Sequence, residues 1–167
     1  IIDFIQKKSL TIETIILTHH HDDHTAGVQD ILNFSSVSVY SPDKKISGTS
    51  QVVRNHDRIN LSFISFNVLS TPGHTLDHLI YYDEHNKILF SGDTLFRFGC
   101  GRVFEGTFEQ MHDSLSILKN LPLNTKIYCG HEYTESNLKF AKSVEPLNQR
   151  IISRYNDVIK LRKQGTP

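Results

Sequence analysis

Apolar residues along this chain fall into short runs divided by polar stretches, and the period inside the runs switches between two and nearly four. Residues 12–17 (Ile-Glu-Thr-Ile-Ile-Leu) are largely β-branched and end abruptly in polar side chains, which predicts a buried strand. Residues 36–40 alternate like a strand, and residues 59–63 and 66–69 add two more. Residues 79–82 and 87–90 predict a hairpin across Asp83, Glu84, His85 and Asn86, and residues 126–129 a further short strand. Helical spacing marks residues 1–8, a helix starting within residues 25–32, residues 107–119 with Thr107 as N-cap, residues 135–144 and residues 148–164. Residues 41–54, with Pro42 and Gly48, read as a surface loop, and the glycine- and phenylalanine-rich residues 95–106 as a loop shaped around another body. Strands alternating with helices predict an α/β fold.

The polar ends of the strands carry the candidate chemistry. Directly after the first strand comes Thr18-His19-His20-His21-Asp22-Asp23-His24. Carboxyl ends of strands are where open α/β sheets place their ligands. His19 and His21 are two apart and project to one side of an extended backbone, while Asp23 and His24 follow as the chain turns toward a helix. That spacing suits ligand pairs facing two neighbouring metal ions. Three more strand ends repeat the pattern with His74 in Thr-Pro-Gly-His-Thr, Asp93 in Ser-Gly-Asp-Thr and His131 in Gly-His-Glu-Tyr-Thr. Seven candidate ligands fit two metals with one carboxylate bridging. Imidazole with carboxylate suits zinc, iron or manganese rather than a soft, thiolate-seeking metal.

Composition changes the picture by exclusion. Eighteen basic residues balance eighteen acidic ones, so nothing points to nucleic acid or an anionic membrane surface. No apolar run approaches the ~20 residues that span a bilayer. Cys100 and Cys129 do not make a disulfide framework, and a reducing compartment follows. The single methionine is Met111 and the chain opens inside a helical pattern without a cap, so a missing N-terminal segment is expected.

The motifs Thr-His-x-His-x-Asp-His, Thr-Pro-Gly-His-Thr, Gly-Asp-Thr and Gly-His, in this order, resemble the metallo-β-lactamase superfamily. Within it, Gly92-Asp93-Thr94-Leu95-Phe96, the run from Gly99 to Thr107 and Gly130-His131-Glu132-Tyr133-Thr134 resemble the bacterial hydroxyacylglutathione hydrolase (glyoxalase II) family. The resemblance implies an αββα sandwich, partial at its N-terminus, over residues 1–145. It also implies that residues 146–167 start a C-terminal helical substrate-binding region, cut short here. Carried over, His19, His21 and His74 would hold one metal, and Asp23, His24 and His131 the other. Asp93 would bridge them, and zinc is the expected metal. Asp23 and Asp93 would take the catalytic roles, with Arg102, Phe104 and Tyr133 contacting glutathione.

The implied reaction is hydrolysis of S-(2-hydroxyacyl)glutathione, S-D-lactoylglutathione in particular, by a hydroxide held between the two metals. The implied partner is that small-molecule thioester, with no nucleic acid and no membrane, in a cytoplasmic monomer. A glutathione persulfide dioxygenase with a single iron, and a metal-binding fragment without catalysis, are the competing readings. His20 and Asp22 alternate with the ligands and are expected to point away. Asp77 stands where relatives commonly carry glycine. His56, His85 and His112 read as surface residues, Cys100 as loop packing and Cys129 as core.

Overall fold

The computed structural model describes residues 1–166. A short helix α1 (Ile2–Lys8) leads into strand β1 (Thr14–Ile16), the one-turn helix α2 (Asp22–Thr25) and α3 (Val28–Phe34). Strands β2 (Ser38–Ser41), β3 (Gln51–Val52), β4 (Arg58–Asn60), β5 (Ser65–Ser70), β6 (Leu79–Asp83) and β7 (Ile88–Gly92) follow. The ribbon β8 (Leu95–Phe96) and β9 (Gly99–Cys100) precedes α4 (Phe108–Lys119), β10 (Lys126–Cys129), α5 (Thr134–Val144) and α6 (Gln149–Lys163).

Two sheets face each other. The smaller is parallel in the order β1-β2-β3, and the larger is mixed in the order β10-β7-β6-β5-β4. Between them lie Val53, Ile59, Phe66, Val68, Leu79 and Tyr81, with Ile16 and Tyr40 against them. On the outer side of the small sheet, Val28 and Leu32 of α3 pack on Leu17 and Val39. Beyond the large sheet, Leu118 of α4 packs on Ile80, Tyr82 and Leu89. The layers therefore run helix, sheet, sheet, helix, as the resemblance implies. Strand β6 is buried along its whole length, which explains why its sequence is apolar without alternation.

Two hydrogen bonds cross the sandwich where they matter for function. The Tyr81 hydroxyl donates to the Leu17 carbonyl over 2.5 Å, and the Leu79 N–H donates to the Thr18 carbonyl over 2.8 Å. Both fasten the end of β1, from which the His-rich segment departs. The Thr107 cap is present as a full capping box, its hydroxyl accepting from the Gln110 N–H while Gln110 reaches back to the Thr107 N–H.

Some expectations change. The helix expected to start at residues 25–32 begins earlier, at Asp22, and breaks at Ala26 and Gly27, so Asp23 and His24 already sit on a helical turn. The stretch 41–54 is not all surface: Ile46 and Val53 are buried and β3 pairs with β2, because two apolar side chains suffice to pin a polar loop to the sheet. Phe63, read as the end of a strand, lies outside it and exposed. Among the described residues no helix is long and apolar enough to cross a membrane. Pro167, the last residue of the tail expected to stop the final helix, lies outside the described residues.

Candidate metal centre

Strand ends deliver the site. His19 and His21 leave β1, Asp23 and His24 stand on α2, His74 follows β5, Asp93 follows β7 and His131 follows β10. The seven side chains converge from four segments, and three are buried: His19, His74 and Asp93. His19 Nε2 and His74 Nε2 each lie 3.1 Å from His21 Nδ1. On the other side, His24 Nε2 and His131 Nε2 are 3.2 Å apart, with Asp23 Oδ2 3.1 Å from the His131 nitrogen. Asp93 spans the two groups. Its Oδ1 lies 3.4 Å from His24, while its Oδ2 lies 3.5 Å from His74 and 3.3 Å from His131.

The donor set can be tested for a cation on its own chemistry. His74 Nδ1 faces the Arg102 carbonyl at 2.8 Å, and a carbonyl only accepts, so Nδ1 carries the proton. His74 Nε2 therefore presents a lone pair inward, toward the nitrogens of the neighbouring ligands. Asp93 Oδ1 is buried with no hydrogen-bond donor. A buried carboxylate oxygen left without a donor is costly, and a divalent cation relieves it. Both triads, His19/His21/His74 and Asp23/His24/His131, gather their ligand atoms within 4.8 Å. The residues fit metal ions.

Electrostatics follows from the crowding. Burial, then the surrounding imidazoles, hold His19 far below its ordinary value. Burial pushes the Asp93 carboxyl up, but the His24, His131 and His74 rings together outweigh it and hold it below the usual range.

A supporting histidine escaped the sequence analysis. His78 is fully buried, its ring stacked on His19 with centroids 4.8 Å apart. Its Nε2 accepts the Asp93 backbone N–H at 3.1 Å, which leaves the proton on Nδ1 to meet the Thr71 and Thr94 hydroxyls, each at 3.1 Å. Burial first, and the neighbouring imidazoles, push it down to about 3, so the ring stays neutral. Its one sequence signal is a histidine set directly before an unbroken apolar strand.

Glycines make the close approaches possible. Gly92 holds a φ of +48°, turning the chain so that Asp93 enters the cluster. A Cβ on Gly130 would strike Asp93 Oδ1 and come 2.8 Å from the His24 ring. The Gly130 N–H bonds the Gly92 carbonyl at 2.8 Å, bringing the ends of β10 and β7 together and His131 beside Asp93.

The cluster opens into a cleft of about 670 Å³ whose further walls include Phe96, Arg102, Phe104 and Tyr133. All three expected substrate contacts thus line one space. Phe104 stands edge-on to His21 and His74, with centroids 5.7 and 5.4 Å away, and the Arg102 guanidinium lies 5.6 Å over the Phe104 ring. Tyr133 stacks on His131 at 5.1 Å. Asp22, His56, His85 and His112 are exposed, as expected. Cys129 is not core: β10 is mostly exposed, and the Cys129 Sγ lies half-buried 3.3 Å from the His131 carbonyl. Cys100 is exposed on the β8–β9 ribbon, so the loop-packing role expected of it is not filled by burial. His20 leaves the cluster but engages Asp77 and Glu105; burial lowers it, and those two carboxylates with Asp43 raise it above its ordinary value.

Comparison with known proteins adds independent findings. The metallo-beta-lactamase superfamily matches residues 2–131, and the hydroxyacylglutathione hydrolase C-terminus family matches residues 132–167. The chain is 46% identical over 162 residues to a hydroxyacylglutathione hydrolase from Legionella pneumophila, covering 96% of this chain and 64% of that protein. It is 45% identical over 170 residues to one from Methylobacillus flagellatus, covering 100% of this chain and 67% of the relative. The chain thus spans just under two thirds of the length of its Legionella relative. Among solved structures, ETHE1 from Myxococcus xanthus superposes with a TM-score of 0.71 at 32% identity, over 79% of this chain and 59% of that one.

Proposed function

The chain belongs to the metallo-β-lactamase superfamily, in its hydroxyacylglutathione hydrolase branch, and on that premise we propose that it hydrolyses S-(2-hydroxyacyl)glutathione thioesters. The observation that carries the proposal is the pairing of a two-sided His/Asp cluster with a cleft walled by Arg102, Phe104 and Tyr133.

We assign His19, His21 and His74 to one metal ion and Asp23, His24 and His131 to a second, with Asp93 shared. Zinc is the metal this ligand set suits best, and iron or manganese is tolerated by the same donors. When bound, such ions acidify a water to a pKa of about 7 and polarise a carbonyl oxygen. Asp93 faces both groups, its Oδ1 toward His24 and its Oδ2 toward His74 and His131, and would be the ligand the two ions share. Asp23, exposed at the mouth of the cleft, accepts a hydrogen bond from the attacking water and orients it toward the acyl carbon. Water adds to that carbon and the C–S bond breaks, giving the 2-hydroxy acid and glutathione as a thiolate; one proton of the water passes to solvent in this step and the other as the product acid ionises. A thiolate leaves readily, so no strong general acid is needed. The Arg102 fork suits a carboxylate of the tripeptide, Phe104 supplies an apolar wall, and the Tyr133 hydroxyl supplies a polar contact.

Residues 146–167 form the start of the substrate-binding region in this reading. Its support is that α6 packs on α5 and that Arg162 pairs with Glu132, the residue after His131. We place the protein in the cytoplasm as a monomer acting on a small molecule, and the two free cysteines agree with a reducing compartment.

Substrate selectivity tests the proposal. The metal-loaded protein should turn over S-D-lactoylglutathione at least about a hundredfold more efficiently (kcat/KM) than the D-lactoyl thioester of N-acetylcysteamine, which lacks the tripeptide; two or three lost polar contacts reach that size. Equal efficiency on both would remove the glutathione assignment.

A further inference from the structure

His20 stands between two metal-type histidines, yet both of its ring nitrogens meet carboxylates instead. Nδ1 lies 3.0 Å from Asp77 Oδ1, and Nε2 lies 3.1 Å from Glu105 Oε1. The two carboxylates come from different segments: Asp77 from the turn joining β5 to β6, Glu105 from the stretch joining β9 to α4. Each is itself anchored. The Thr75 hydroxyl donates to Asp77 Oδ1 over 2.6 Å, and the Leu76 N–H donates to Glu105 Oε2 over 2.9 Å. One imidazole therefore joins three segments that meet at the mouth of the cleft.

The segment held by Glu105 carries Arg102 and Phe104. Its inner edge is already fixed by backbone, the Phe104 N–H reaching the His74 carbonyl at 3.3 Å and the Gly106 N–H the Gly73 carbonyl at 3.1 Å. Glu105 fastens it on the side of the metal loop, one residue from Phe104. Phe104 is 59% exposed, so packing does little to hold this large ring at the rim. The ring stands edge-on to His21 and His74.

We propose that His20, Asp77 and Glu105 form a clamp that positions the Arg102–Phe104 wall for the glutathione part of the substrate. The proposal rests on the thioester reading above and extends it to three residues that touch neither the metals nor the reacting atoms. They are positioning residues. Binding energy spent on holding the wall is used equally in ground and transition states, so the clamp should act on KM and leave kcat alone.

The test uses the metal-loaded protein and S-hexylglutathione, a thioether that binds without reacting. Its affinity is measured by calorimetry beside KM and kcat for S-D-lactoylglutathione, metal content and Tm. Exposed ion pairs shift an equilibrium by at most about fivefold each. Asp77→Asn and Glu105→Gln should each weaken S-hexylglutathione about two- to fivefold, and His20→Ala about tenfold. KM should rise in parallel, with kcat within about twofold and metal content unchanged. The Asp77→Asn/Glu105→Gln double variant should lose about as much as His20→Ala, since both carboxylates meet that ring and the amide oxygens left behind still accept from Thr75 and Leu76. Wild-type affinity in all variants would overturn the clamp while leaving the thioesterase reading intact. A fall in metal content or in kcat alone would also overturn it, because His20 would then act on the metal loop. A wild type that neither binds S-hexylglutathione nor hydrolyses the thioester would overturn the underlying reading, and the clamp with it.

Discussion

The backbone that carries the central carboxylate is held by a histidine that bears no charge itself. Asp93 must keep two oxygens in fixed directions, and its backbone is tied by His78 through a single N–H···N bond of 3.1 Å. A neutral, buried imidazole suits this task, because its protonation state does not change near neutral pH. Outer partners of this kind typically govern metal affinity by about 10–100-fold. His78→Ala should therefore weaken metal binding by that factor, read by competition with a coloured chelator, while the ligands stay in place. Unchanged affinity would reduce His78 to packing. The seven ligand candidates were legible because the four segments that carry them each follow an apolar strand. His78 was not, since a histidine heading a buried strand looks the same whether it supports a metal site or fills a core. His20 was expected to point away, and it does, but its carboxylate partners lie 57 and 85 residues distant and no local pattern links them.

At the level of elements, β6 and the end of β1 act as the frame. Tyr81 is wholly buried between the sheets and its hydroxyl donates a hydrogen bond to the Leu17 carbonyl. Removing the hydroxyl leaves that carbonyl buried without its donor, a cost of about 1–3 kcal/mol. Tyr81→Phe should lower unfolding stability in urea by that amount and leave the metal content as in the wild type. A stability equal to wild type would mean that the sheets are held by apolar packing alone. The hairpin of β6 and β7 was readable from two apolar runs around a polar turn, and α4 from its cap and spacing. The early start of α2 was not, because Asp22, Asp23 and His24 carry no apolar periodicity. They become helical as the chain turns from β1 into α3. Strand β3 was hidden for a similar reason: two residues of polar sequence pair with β2 only because Ile46 and Val53 are buried beside them.

For the molecule as a whole, the candidate ligands lie as far apart in sequence as His19 and His131, yet they meet where two sheets present their strand ends. The αββα order was legible from the motifs and their resemblance, and the layers follow it. The walls of the cleft were legible only as single residues, whereas their shared space depends on how the β8–β9 ribbon and the segment up to Thr107 fold back over His74. The central claim is that these seven ligands hold two metals that hydrolyse a glutathione thioester. Its most direct test is turnover of S-D-lactoylglutathione with metal quantified on the same sample, for the wild type and Asp93→Ala. The account predicts turnover with about two metals per chain in the wild type, and loss of turnover in the variant. Turnover that survives Asp93→Ala, or a wild type that hydrolyses the thioester with no metal bound, would contradict it.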